Sequence, residues 1–252
     1  MIDAEPSIKH FLKPFYGSRE FISANPRVCL WITEEELDAA LELEIIAKKV
    51  SQVEQSRRSA KKDSAAQKLA ETPYRFREQK IAERQVMVVP RVSSENRPYL
   101  PVGILSSENV IQEKAFALYD APLWNMAMIA SRIHWMWIGT VCVRLRTDFS
   151  YSNTLGWNTF PVPKLTEKNK ADLTRCAANI LLAREAHFPA TIADLYDTEK
   201  MPADLKAAHD QNDEALERIY IGRRFKNDTE RLEKLFDMYT KMTTSTKEGA
   251  KS

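Results

Sequence analysis

Glycine is scarce in this chain, with six residues in 252. That scarcity argues against glycine-rich phosphate loops, propeller blades and long flexible linkers. Neither G-x-G-x-x-G nor G-x-x-x-x-G-K-S/T occurs, so nucleotide binding by those devices has no support. G-x-S-x-G and H-E-x-x-H are missing as well. Cys29, Cys142 and Cys176 are too few and too scattered for a disulfide framework or a zinc site, and fit reduced thiols in a cytoplasmic protein. His10, His134, His187 and His209 show no ligand spacing, so no metal is expected. The most apolar stretch, Leu123 to Ile138, is interrupted by Arg132 and His134 and is shorter than the roughly 20 residues that span a bilayer. It predicts a core helix and no membrane partner. The first ten residues, MIDAEPSIKH, have neither a basic n-region nor an apolar run, so no secretion signal is expected.

What is present is an ordinary globular composition, 44% hydrophobic and 29% charged, with enough chain for a sizeable core. The net charge of +2 averages over unlike segments. Residues 48–91 hold 12 Lys/Arg against 5 Asp/Glu, whereas residues 1–47 hold 4 against 9. A concentrated positive field is the footprint of a polyanion partner, and equally of a solvated helix with a basic face.

Hydrophobic spacing predicts an α+β chain, mixed α/β to residue 163 and helical after it. Lys13–Ser18 reads as a turn leading to a strand near Arg27–Ile32, and Thr33 with Glu34–Glu36 reads as the capped start of one long helix carrying Leu37, Leu41, Ile45 and Val50. Gln85–Val89 and Val102–Leu105 are β-rich runs, with a third strand around Ala115–Tyr119. Val141–Phe149 alternates like one half-buried strand, placing Cys142, Arg144, Arg146 and Asp148 on one face. Tyr151–Pro163 reads as strand and turn. Residues 166–187, 201–221 and 227–243 have helical periodicity, and a disordered tail is expected over 244–252.

No catalytic constellation emerges, and the Asn/Asp-Pro-Pro-Tyr/Phe motif of amino-methylating DNA enzymes is missing. His134, among Trp135, Met136 and Trp137, reads as a core histidine more readily than a base. Cations suited to phosphates are Arg57, Arg58, Lys61, Lys62, Arg75, Arg77 and Arg91. Arg144, Arg146 and Asp148 on one strand face could read guanine and cytosine edges, or could be a solvated, ion-paired face. The loop Ser93, Ser94, Glu95, Asn96, Arg97 could contact bases or backbone, or be a polar turn. Trp135, Trp137 and Trp157 could stack on bases or form core.

Several stretches resemble one family, in order along the chain. Lys13–Ile22 (KPFYGSREFI), Arg27–Ile32 (RVCLWI), Val89–Gly103 (VPRVSSENRPYLPVG) and Arg144–Pro163 (RLRTDFSYSNTLGWNTFPVP) resemble the target-recognition region of MmeI-type (type IIL) restriction-modification methyltransferases. Ile192–His209 (IADLYDTEKMPADLKAAH) and Arg231–Tyr239 (RLEKLFDMY) resemble their helical C-terminal part. The sequence departs from the family at Val143, where glycine is common, and at Gly156-Trp157. A fainter likeness to type I specificity subunits rests on Phe160–Lys164 followed by a long helix.

The resemblance implies a target-recognition domain over 1–163 and a helical brace over 164–243, with no catalytic residue or cofactor of its own. It implies double-stranded DNA as partner, read through Arg144, Arg146, Asp148, Ser93, Ser94, Glu95 and Arg97. It also implies a methyltransferase domain in the same parent protein, using S-adenosylmethionine on adenine N6. The competing expectation from the residues alone is a helical protein- or RNA-interaction module with a basic face.

Overall fold

The computed structural model describes residues 6–249. The N-terminal part begins with a 3-10 turn, Pro6–Phe11, that runs directly into strand β1, Leu12–Tyr16. The turn expected at Lys13–Ser18 is therefore a strand. Pro14 disguises it, because proline cannot donate to a ladder. β1 pairs antiparallel with β2 (Arg27–Leu30), across the short helix α1 (Ser18–Ile22), and parallel with β6 (Val110–Ile111).

The long helix expected after Thr33 is two helices, α2 (Leu37–Leu41) and α3 (Glu44–Ser59). Leu43 is extended (φ −83°, ψ 109°) and breaks the rod, while Ile46 turns inward with Ile8, Phe11, Ile32 and Ala40 to form a small N-terminal core. After α4 (Ser64–Lys68) the chain enters the second sheet, order β5-β3-β7, with β3 (Gln85–Pro90) central. β3 is buried from Val86 onward, as its unbroken apolar run requires. Its partners are β5 (Gly103–Ser106) and β7 (Ala115–Tyr119), both antiparallel. The Asp120 carboxylate closes this sheet by accepting the N–H groups of Glu83 (2.8 Å), Arg84 (2.8 Å) and Gln85 (3.2 Å).

The apolar stretch is a helix pair, α5 (Trp124–Ile129) and α6 (Arg132–Val141), with Ser131 capping the second through the His134 N–H. The single strand expected over Val141–Phe149 is corrected. Helix α6 consumes Val141, Cys142 is buried, and the rest folds into a hairpin of β8 (Arg144–Leu145) and β9 (Asp148–Ser150). Leu145 pairs with Asp148, so Arg146 and Thr147 form a two-residue turn with Arg146 at φ 60°. Tight hairpins need such a positive φ because its twist matches the strands. Tyr151–Pro163 carries a π-helical turn, Asn153–Trp157, in place of the expected strand. With its left-handed φ at Arg146, the turn makes a clear expectation. Arg146→Gly should hold stability within about 1 kcal/mol of the parent, whereas β-branched Arg146→Val should lose about 1–2 kcal/mol. Urea-unfolding midpoints of the two variants check this.

Helices α7 (Glu167–Glu185), α8 (Ile192–Leu195), α9 (Ala203–Ile221) and α10 (Asp228–Gly249) complete the described chain. Thr166 and Asn169 form a capping box on α7, and Gly222 at φ 77° ends α9 in the left-handed conformation that glycine permits. Residues 244–249, expected as tail, continue α10, while 250–252 lie outside the described residues. Thr243 and Thr244 favour continuation by returning their hydroxyls to the carbonyls of Tyr239 (3.1 Å) and Thr240 (2.9 Å).

The helices do not form a core of their own. One apolar cluster contains Met87, Leu100 and Val102, then Ile129 and Trp137, then Leu173, Ile180, Leu205 and Leu216. Polar contacts cross the same junction. Arg184 donates to the Val102 carbonyl (2.7 Å), Asn212 to that of Ala127 (2.8 Å), and the Tyr220 hydroxyl to that of Pro161 (2.9 Å). Chain composition changes near residue 164, but the packed interior runs straight through it. Among the described residues, no helix is long and apolar enough to cross a membrane.

Candidate functional site

Two polar segments about fifty residues apart in the chain meet in the third sheet, order β4-β9-β8. Strand β4 (Val92–Ser93) pairs Val92 with Ser150 and Ser93 with Phe149. Arg144 pairs with the same Phe149 from the other side. The loop that follows Ser93 is thereby set beside the hairpin. Arg144 reaches across to an ion pair with Glu95, and its guanidinium lies over the Phe149 ring at 4.7 Å from the centroid. Arg97 donates to the Ser93 hydroxyl at 3.3 Å. Burial lowers the Arg97 pKa while the Asp148 carboxylate opposes it, placing those two charges in one field.

Not every member of the loop faces outward. Ser93 is buried. Ser94 builds the turn by accepting the Arg97 N–H on its carbonyl (3.2 Å) and the Asn96 N–H on its hydroxyl (3.3 Å). The Asn96 carbonyl accepts the Thr198 hydroxyl, so the helical part holds the loop. Arg146 stands exposed at the hairpin tip without an ion-pair partner among the described residues. Exposed Val143 and Leu145 flank Arg144. Arg144 lies opposite Phe149 and Asp148 opposite Leu145, so the two fall on opposite faces of the hairpin with Arg146 in its turn, and the single face expected for Arg144, Arg146 and Asp148 is not formed.

The basic segment is less available than its composition suggested. Arg57 is a clamp, donating to the carbonyls of Leu69 (2.8 Å), Thr72 (3.0 Å) and Arg75 (2.6 Å). Arg58 pairs with Glu54 one turn earlier (2.8 Å), Arg75 pairs with Glu34, and Arg77 pairs with Asp63 at 3.2 Å. Lys61 and Lys62 sit exposed in the turn between α3 and α4. Arg91 donates through Nη1 to the Glu113 carbonyl (2.8 Å) and covers the Phe116 ring.

Arg91 also lines a cleft of about 650 Å³ together with Ser18, Arg19, Glu20, Arg27, Val92, Lys114 and Ser150. Arg19, Arg27 and Lys114 had no signal in the sequence, because they come from three separate stretches and no charge run includes them.

Other expectations resolve into packing. Trp135 and Trp137 are buried, and Trp157 packs edge-on to His134. His134 is enclosed, with Nδ1 3.0 Å from the Ile129 carbonyl, and burial pulls its pKa down to about 4. It is a neutral core histidine. Glycines 17, 103, 139 and 156 each lie against a side chain, of Gln112, Phe21, Phe149 and Cys142 respectively. These are close-packing positions. Among the described residues, no group of three His, Cys, Asp or Glu side chains is arranged to hold a metal ion.

The family model of the MmeI target recognition domain matches residues 1–164, and that of the MmeI C-terminal domain matches residues 165–246. A relative from Bacillus subtilis (strain 168), DNA methyltransferase A, is 36% identical over 242 residues, covering 96% of this chain and 27% of its own. The solved structure of the Type IIL restriction-modification enzyme MmeI in complex with DNA is similar with a TM-score of 0.90 at 28% identity, covering 96% of this chain and 32% of that one. The chain thus spans about a third or less of the length of these relatives.

Proposed function

The chain belongs to the MmeI family, matching its target recognition and C-terminal domains, and from that premise we propose that it reads a specific sequence in double-stranded DNA. The observation that carries this reading is the joining of the Ser93–Arg97 loop and the Arg144–Asp148 hairpin in one sheet. Arg144 with Glu95 and Arg97, Arg146 at the hairpin tip, and Asp148 on the hairpin's other face are the groups offered to base edges in the major groove. Guanidinium forks match guanine O6 and N7, and a carboxylate accepts from cytosine N4. Ser93 and Ser94 hold the loop that presents them. Lys61 and Lys62, with Arg91, contact phosphates and supply affinity without sequence preference.

Residues 1–163 act as the reader and residues 164–243 as the brace that fixes its loops. The parent protein is a DNA methyltransferase in which a separate domain holds S-adenosylmethionine, flips out the target adenine and methylates N6. No step of that chemistry is assigned to this chain, in which Gly17, Gly103, Gly139 and Gly156 are taken up by side-chain packing and Gly222 by a helix end.

The test is selection from a randomised duplex pool at low salt, with an A-form RNA duplex as competitor. Arg146→Ala and Arg144→Ala are expected to change the enriched sequence, with about 1–3 kcal/mol of discrimination lost per reader. Lys61→Ala should weaken every sequence alike. Equal losses on selected and random duplexes in all three variants, or preferential capture of the RNA, would overturn the division of roles.

A further inference from the structure

We propose that the cleft between α1, β2 and the β3–β4 and β6–β7 connections seats a backbone phosphodiester of the bound duplex. This assignment rests on the reading of the chain as a DNA-binding domain and gives the duplex a second anchor.

The cleft is lined by four cations, Arg19, Arg27, Arg91 and Lys114, and one carboxylate, Glu20. That carboxylate is already engaged. It accepts the Gly17 N–H at 2.9 Å and the Gln112 amide at 3.1 Å, and it pairs with Arg27 Nε at 3.0 Å. These contacts lower its pKa despite the cost of its burial, so the carboxylate stays ionised and neutralised by Arg27. Arg19 and Lys114 remain exposed, without a side-chain partner among the described residues. A strongly positive recess with its one acid internally satisfied lacks a counter-charge, and a phosphodiester supplies one.

The recess is held open by local bonding. The Ser18 hydroxyl accepts the Arg91 N–H at 2.9 Å and donates to the Lys114 carbonyl, tying three separate segments at one point. Arg91 is further fixed by the Glu113 carbonyl and the Phe116 ring. Arg91 and Arg27 are therefore positioned before any ligand arrives, which reduces the ordering cost of binding for those two, while Arg19 and Lys114 are free to turn toward it.

Its position relative to the reading hairpin favours DNA over a free anion. Val92 and Ser150, which line the cleft, are partners in the same sheet. Side chains two apart on a strand share a face, so Ser150 shares one with Asp148, and Leu145 opposite Asp148 joins them. The cleft lies roughly 7 Å along β9 from Asp148. That is about two base-pair steps of duplex, each about 3.4 Å along one strand. Under the proposed reading, a duplex engaged by the hairpin passes within a few base-pair steps of this recess, close enough for one of its phosphates to enter it.

The test uses the chain with an about 30-bp random-sequence duplex, measuring anisotropy across a salt titration. Arg19→Ala/Lys114→Ala should reduce the slope of log K against log salt by about 2 and weaken binding about 10–50-fold, leaving the selected sequence unchanged. As a variant-free check, the duplex should slow acetylation of Lys114 but not of exposed Lys206 on α9. Wild-type slope in the double variant with unprotected Lys114 would overturn the cleft assignment while leaving the DNA reading intact. Failure of the wild-type chain to bind any duplex would overturn both.

Discussion

Replacing Arg231 by methionine is expected to destabilise the whole chain by about 3–5 kcal/mol, the cost of stranding a buried charge. Glu217 on α9 is fully buried. It accepts Nε of Arg231 at 2.9 Å and the Phe225 N–H at 3.0 Å, while Arg224 stays 3.6 Å away. Arg231 in turn bonds Asp228 at 2.8 Å and lies over the Phe225 ring. Methionine keeps much of the volume but leaves the Glu217 carboxylate with one backbone donor and a distant guanidinium. For a chain of this size the melting temperature should fall by roughly 6–20 °C. Adding Glu217→Gln should recover much of that loss, because it removes the stranded charge. The loss should appear in one transition, since α9 and α10 share their core with Met87, Leu100 and Trp137. Coincident melts by circular dichroism and tryptophan fluorescence would agree with this. A single variant melting within about 2 °C of the parent would contradict the cost, given the scaling above.

The consequence reaches the proposed reading surface. One turn before Glu217, Asp213 accepts the Arg132 N–H at 2.7 Å and the Tyr99 hydroxyl at 2.9 Å. Tyr99 lies two residues beyond Arg97, and Thr198 holds the Asn96 carbonyl. The helical part, expected from the sequence as a brace over 164–243, contacts the loop directly through these bonds. On the proposed reading of the loop, mutations in this helical part should change how firmly bases are read.

The residues that escaped sequence reasoning did so for identifiable reasons. β3 was legible because a strand buried on both faces must be an unbroken apolar run. α7, α9 and α10 were legible from long amphipathic periods. The hairpin was hidden because Val141–Phe149 alternates without any Gly, Asn or Asp at its turn, and Arg146 takes the left-handed conformation instead. The break between α2 and α3 was masked by the continuous series Leu37, Leu41, Ile45. Leu41 and Ile45 are in fact substantially exposed. Charge was misleading in a different way. Arg75 finds Glu34 forty-one residues away, so the local excess of the basic segment overstated its free charge. The cleft shows the converse, a positive site assembled from residues 19, 27, 91 and 114 that no window of sequence contains.

Stability against pH should show a maximum near neutrality that Asp213→Asn reshapes. Burial pushes the Asp213 carboxyl up to about 7, against the Arg132 and Tyr99 hydrogen bonds, with the Glu217 charge adding to the rise. The unfolded carboxyl titrates near ~3.9. Between those values the folded state holds a proton that the unfolded state has released, so this group's contribution falls as pH rises from about 4 to 7. His134 acts oppositely. Burial lowers it to about 4 against an unfolded value of ~6.5, so its contribution rises with pH across that window. His209, enclosed between Tyr99 and Tyr196 and beside the Arg184 guanidinium, is lowered in the same direction, by burial first and Arg184 second. Two histidines against one carboxyl leave a net gain with rising pH up to about 6.5, after which only the Asp213 loss continues. In Asp213→Asn that opposing proton is absent, and the amide oxygen can still accept the Arg132 N–H. The acid limb should therefore steepen by about 1.4 kcal/mol per pH unit. The stability difference between variant and parent should grow by roughly 2 kcal/mol between about pH 5 and about pH 7. Urea unfolding followed by tryptophan fluorescence across that range measures it. A difference that stays constant with pH would mean that Asp213 ionises in the folded chain much as it does in the unfolded one.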